Sequence, residues 1–271
     1  MNVSERVLTF GEVRHVALWG EEQWLVSAHK AGVSVVAEGS RKGERLCDID
    51  PRFPLLVKRI DSRDRLSVQV HPNERTQWLV GGEAKTEMWC ALADCAVYAG
   101  LKPGVVAVDI EDAVKTCRFE ELMVLHELKA GDVLFIPGGL VHTICAGASI
   151  YEVQQSADTT FRLYDWGRVG ADGKPRELHV EKALSAIDYS LPPPKIANSA
   201  SCEFFDFRRV ALDGEAAVNG RGWTILYAFR GDFTLGGVRY GEGSSLLVAD
   251  GEDFTLTGRD AEVFITKGNK R

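Results

Sequence analysis

Four residues in this chain have side chains that bind metal ions and spacings that put them on neighbouring strands: Gln69, His71, Glu87 and His142. Gln69 and His71 lie in Ser67-Val-Gln-Val-His-Pro, where polar and apolar residues alternate. A strand of period two places Gln69 and His71 on one face and Val68 and Val70 on the other. Glu87 stands in Lys85-Thr-Glu-Met-Trp, and His142 closes Gly131-Asp-Val-Leu-Phe-Ile-Pro-Gly-Gly-Leu-Val-His. Two imidazoles, a carboxylate and an amide oxygen form an N2O2 set that suits zinc, and iron, manganese and cobalt accept the same donors. One anionic ligand leaves the bound centre net positive. Structural zinc is more often closed by thiolates, so this set points to a catalytic ion with a position for water or a substrate oxygen. The other histidines, His15, His29, His126 and His179, have no ligand-like neighbour at strand spacing and read as core or surface residues.

Downstream, the segment from Ile150 to Arg168 is dense in polar groups for a stretch of strand propensity. Glu152 and Gln154 share one strand face, and Arg162, Tyr164 and Trp166 share another. Arg162 is a candidate electrophile beside the metal, because a fixed guanidinium stabilises an oxyanion without titrating. Lys85, two residues before Glu87, lies on the ligand side of its strand. A nearby cation favours a neutral amine there, so Lys85 is a candidate proton carrier, with Asp158 as rival or partner. Lys85 equally suits a contact to phosphate or hydroxyl.

These residues must be carried by β-structure. Short strand-like runs at 24–26, 33–37, 55–60, 66–70, 86–92, 97–100, 133–136, 150–155 and 161–164 are separated by Gly, Pro, Asp and Asn, a cadence of sandwiches and jelly rolls. Two helical patterns, 108–116 and 177–187, are expected to pack outside the barrel. Leu191-Pro-Pro-Pro-Lys fits neither a helix nor a central strand, so a boundary is expected there. Residues 1–190 then form a metal-binding catalytic domain and residues 191–271 a second β-domain. Strand runs at 223–230, 232–235, 244–249 and 261–266 build the latter, which holds no histidine and is expected to be metal-free. The expected fold is all-β dominated: two jelly-roll β-barrels or sandwiches with a few peripheral helices.

The chain has 271 residues, 45% hydrophobic and 26% charged, which is ordinary for a globular protein able to bury a sizeable core. A net charge of −7 argues against a nucleic-acid partner. No apolar run reaches the roughly 18 residues of a membrane helix, and the N-terminus lacks a signal-peptide core, so a cytoplasmic location is expected. The six cysteines form no CxxC pair and read as reduced residues. Cys90 and Cys145 lie near the site in sequence, where thiolate ligation is the lesser reading.

Gly131, Pro137, Gly139 and His142 match Gly-x5-Pro-x-Gly-x2-His, which resembles the second signature of the cupin superfamily and implies that the two jelly-roll β-barrels are cupin-like. The ordered blocks Gln-Val-His-Pro, Lys-Thr-Glu-Met-Trp, Gly131 to His142, Glu152 to Asp165 and Arg176 to Leu184 resemble class I mannose-6-phosphate isomerases, particularly the short bacterial form. They cover about residues 19 to 188. The resemblance implies a zinc-dependent aldose–ketose isomerase interconverting mannose 6-phosphate and fructose 6-phosphate through a cis-enediol. It implies Gln69, His71, Glu87 and His142 as zinc ligands, Arg162 as the catalytic arginine, and a small sugar phosphate as partner of a monomer or homodimer. The sequence departs from the family at Glu22-Gln-Trp-Leu-Val-Ser, where Leu25 replaces an acidic residue, and at Trp89-Cys90, where the family has Trp-Tyr; the second barrel matches weakly. A metal-dependent cupin oxygenase and a non-catalytic sugar-phosphate sensor are the competing functions.

Overall fold

The computed structural model describes residues 3–170 and 173–269. Antiparallel strands dominate it, as the cadence of turns anticipates. In chain order they are β1 (Val7–Leu8), β2 (Val13–Ala17), β3 (Gly20–Ser27), β4 (Leu55–Ser62), β5 (Val68–Val70), β6 (Glu87–Ala91), β7 (Cys95–Leu101), β8 (Met123–Leu128), β9 (Val133–Ile136), β10 (His142–Ile144), β11 (Ser149–Gln155) and β12 (Phe161–Tyr164). They continue as β13 (Ser199–Ser201), β14 (Phe205–Val218), β15 (Thr224–Arg230), β16 (Phe233–Leu235), β17 (Val238–Tyr240), β18 (Ser245–Val248) and β19 (Phe254–Gly268). The helices are α1 (Leu46–Ile49), α2 (Gln77–Val80), α3 (Ala107–Thr116) and α4 (Val180–Ala186).

Contacts divide the chain into two compact units. One takes the residues up to Val13, Gln23–Lys58 and the residues from Asn198 on; the other takes Arg14–Glu22 and Arg59–Ala197. The first contains the sheet β1-β18-β15-β19-β14-β13, with β16 and β17 attached. Its N-terminal strand enters by pairing Val7 with Val248. The long antiparallel pair of β14 and β19 runs from Phe205↔Gly268 to Val218↔Phe254, and Leu212, Val218, Phe233, Leu256 and Val263 share one apolar cluster.

The second unit positions the site. A five-stranded sheet has the order β12-β5-β10-β7-β8, and β11, β6 and β9 are neighbours in a six-stranded sheet of order β2-β3-β4-β11-β6-β9. Val68 and Val70 of β5, with Phe161 and Leu163 of β12, pack against Ile110 and Ala113 of α3 and Ala183 and Ala186 of α4. The helices therefore cover one face of the five-stranded sheet, as expected, and period two turns Gln69 and Arg162 to the opposite face. On that side Val97, Ala99 and Ile144 pack with Trp89, Leu134, Ile136 and Ile150 from the other sheet. Strand 33–37 is not formed: Val35 and Val36 make only isolated bridges, to Arg45 and Phe10. The helix expected over 177–187 is trimmed at both ends: residue 179 is drawn back to β12, where its amide donates to Arg162 O at 2.7 Å, and Ile187 turns extended at the C-cap.

Candidate metal centre

Register brings the first set of side chains together. Gln69 of β5 lies directly opposite both His142 of β10 and Arg162 of β12, so the three project from one face in a single row. His71 follows β5 at the residue before Pro72, and Gly139 N donates to its carbonyl at 2.8 Å. From the other sheet come Glu87, opposite Gln154, and Trp89, opposite Glu152. Lys85 precedes Glu87 by two residues and is held by its own amide, which donates to Pro72 O at 2.9 Å.

His71, Glu87 and His142 are all buried, and their ligand atoms lie within 4.8 Å of one another. Glu87 Oε2 is 3.5 Å from His71 Nε2, and Oε1 is 3.5 Å from His142 Nε2. The amide head of Gln69 stands 3.3 Å from His142 Nε2. Bonds of about 2.0–2.1 Å in a tetrahedron set ligand atoms about 3.3 Å apart, so these separations fit zinc. Rotation of the Gln69 amide presents its oxygen in place of its nitrogen.

The ring nitrogens have assigned roles. His71 Nδ1 is 2.8 Å from Thr159 O, and His142 Nδ1 is 2.8 Å from Leu140 O. A carbonyl only accepts, so both Nδ1 atoms donate, and in the neutral rings both Nε2 lone pairs face Glu87. Burial is the largest influence on His142 and pulls its pKa down to about 4, which keeps the ring neutral at pH 7. Neither oxygen of the buried Glu87 accepts an aligned hydrogen bond among the described residues. Among the described residues its close cation is Lys85, whose Nζ stands 2.7 Å from Oε2 and 3.0 Å from His71 Nε2. Two inward lone pairs and a buried carboxylate without aligned donors are what a cation satisfies.

Lys85 is 5% exposed and is also 4.0 Å from Glu152 Oε1. Glu152 in turn accepts a 2.9 Å hydrogen bond from the Trp89 indole. Arg162 donates through Nη1 to Glu177 O at 2.8 Å, while its Nε is buried with no hydrogen-bond partner among the described residues. Burial lowers its pKa, yet a guanidinium stays charged. Asp158 is exposed in the loop between β11 and β12. Sequence reasoning placed Glu152 on a strand face without giving it a role, and it missed Trp89 and the Thr159 and Leu140 carbonyls. A Trp two residues from Glu87 on the same strand was the available signal for the first of these; backbone acceptors leave none.

No family model matches the chain. It is 37% identical over 226 residues to mannose-6-phosphate isomerase ManA of Bacillus subtilis (strain 168), spanning 73% of this chain and 71% of the relative. The chain belongs to the mannose-6-phosphate isomerase family. Solved structures agree in fold. The crystal structure of the mannose 6-phosphate isomerase from Bacillus subtilis superposes with a TM-score of 0.84 at 24% identity, covering 96% of this chain and 99% of that one. A mannose 6-phosphate isomerase bound with zinc and yttrium superposes at 0.74 and 13% identity, over 98% and 100%. Of the departures from the isomerase family read in the sequence, Leu25 is buried within β3, and Cys90 is buried in β6 beside Trp89.

Proposed function

We propose that this chain is a zinc-dependent aldose–ketose isomerase interconverting mannose 6-phosphate and fructose 6-phosphate. The observation that carries the reading is the buried His71, Glu87 and His142 cluster, with ligand atoms within 4.8 Å of one another and Lys85 against it, in a chain of this family. Gln69, His71, Glu87 and His142 are the proposed ligands. Zinc held there supplies Lewis-acid stabilisation of negative charge on a sugar oxygen.

The reaction takes a proton from C2 of the open-chain aldose and returns it to C1, while the O2 hydroxyl proton passes to O1; the cis-enediol between them is entered and left through an enediolate whose oxygen carries negative charge. Lys85 is the proposed proton carrier: it is buried beside the ligand carboxylate, where Asp158 is exposed. Arg162, in register with Gln69, supplies the fixed positive charge toward the developing oxyanion. The Glu177 carbonyl orients its guanidinium. Packing between the sheets keeps water from the back of the site, since Trp89, Leu134 and Ile136 close it. All proposed ligands lie before residue 191, and the β-domain beyond it is proposed to be metal-free. No helix among the described residues is long and apolar enough to cross a membrane, and the cytoplasm is the proposed compartment.

The test is fructose 6-phosphate formation from mannose 6-phosphate by the purified protein, before and after chelation and zinc restoration, with metal content measured on the same sample. Chelator-sensitive turnover restored by zinc supports the reading. A zinc-loaded protein without turnover overturns it.

A further inference from the structure

We infer that Trp89 is a positioning residue, whose indole N–H aims Glu152 at Lys85 while its ring sets the plane of His142; the inference rests on the isomerase reading above. Trp89 is fully buried on β6, two residues beyond Glu87 and therefore on the same strand face. It lies directly across the ladder from Glu152 on β11 and from Leu134 on β9. The indole Nε1–H donates to Glu152 Oε2 at 2.9 Å, and the other carboxylate oxygen faces Lys85 Nζ at 4.0 Å. The same ring meets His142 edge to face, with centroids 5.2 Å apart and planes at 80°.

Filling this volume asks only for a large apolar ring. Leu134, Ile136 and Ile150 pack around it, and a phenyl group would serve that purpose. The N–H is the part that packing does not explain. A Trp donor has one direction and two side-chain torsions, so a fully buried indole holds its acceptor in a narrow range of positions. Anchoring Oε2 turns Oε1 toward Lys85, which then lies between the carboxylates of Glu87 and Glu152. The edge-to-face contact on His142 fixes the rotation that its Nδ1 bond to Leu140 O leaves free. One side chain thus ties the proposed proton carrier and a proposed ligand to a common frame.

Four proteins test this: wild type, Trp89→Phe, Glu152→Gln and the double variant. With wild type turning over mannose 6-phosphate, Trp89→Phe is expected to keep its zinc and to hold KM within about twofold. Its kcat should fall about tenfold, the scale for losing a buried hydrogen bond to a charged group. The double variant should be no slower than Glu152→Gln alone, because Trp89 acts through Glu152. Unchanged kcat in Trp89→Phe, multiplicative losses in the double variant, or a kcat loss that tracks zinc loss each overturns the inference. Urea unfolding of metal-stripped wild type, Trp89→Phe, Glu152→Ala and their double variant decides the Trp89–Glu152 link without turnover, since alanine, unlike glutamine, leaves the indole N–H no acceptor: coupled stabilities support it and additive ones refute it. Wild type lacking turnover would overturn the isomerase reading, and the unfolding cycle would still judge this one.

Discussion

Acid should destabilise the metal-free protein, and one buried ring contributes a share that a single substitution can isolate. His142 is fully buried, and desolvation of its charged form pulls its pKa from 6.5 to about 4. The Leu140 carbonyl favours the protonated ring and Lys85 opposes it, both by less than burial does. Between these two values the unfolded chain binds a proton that the native ring refuses. The associated stability is therefore complete above pH 6.5 and is lost as pH falls toward 4. Linkage with these values gives a loss of about 2 kcal/mol between pH 7 and 5, and about 3 kcal/mol by pH 4. The assay is urea unfolding of chelated protein, followed by tryptophan fluorescence at pH 7, 6 and 5, for wild type and His142→Gln. Glutamine keeps a polar head and does not titrate, so the variant's stability should fall less, by about 2 kcal/mol over the range. His179, whose pKa burial also lowers, is common to both proteins and cancels in the difference. Parallel pH profiles would refute the reasoning. Zinc added to wild type holds the imidazole neutral and should move the fall to lower pH.

Arg162→Ala is expected to retain metal and lose turnover by about 10²–10³, as for loss of a preorganised oxyanion donor; near-normal kcat with metal bound would remove its assigned role. Lys85→Ala should lose at least about a hundredfold in kcat, whereas Asp158→Ala, at an exposed loop position, should stay close to wild type; steady-state kinetics on both separates the two proton carriers. Gly82→Ala places a Cβ 2.6 Å from Thr159 Cγ2 at a φ of +124°. A cost of about 1–3 kcal/mol in urea unfolding should follow, with weaker metal retention, since the Thr159 carbonyl holds His71.

The site was legible where chemistry and period agreed. Alternation about Gln69 and His71 gave the correct faces because Val68 and Val70 had to be buried, and they are, against α3 and α4. His142 was announced by the Pro and Gly before it, although the three-residue strand it opens is too short for a periodic signal. The pairing of Val7 with Val248 joins distant segments and leaves no local trace. The run 33–37 does find backbone partners on both sides, Thr9 and Gly11 on one and Glu44 and Leu46 on the other, but it meets them through isolated bridges rather than a continuous ladder, which local sequence does not foretell. The anchors of both histidine rings are main-chain carbonyls, which any residue type supplies, so residue identity could not reveal them.

The single row of Arg162, Gln69 and His142 across β12, β5 and β10 makes the site a reporter of its own assembly. A slip of β5 by one residue would send Gln69 and His71 toward the helices and bring Val68 and Val70 to face Glu87. Partial credit does not exist in such an arrangement: a misregistered chain loses Gln69 and His71 together and leaves the buried Glu87 carboxylate with His142 alone. Under the proposed ligand set, metal uptake during refolding would time the docking of β5 as well as the filling of the site, and a slipped register would show as lost metal affinity.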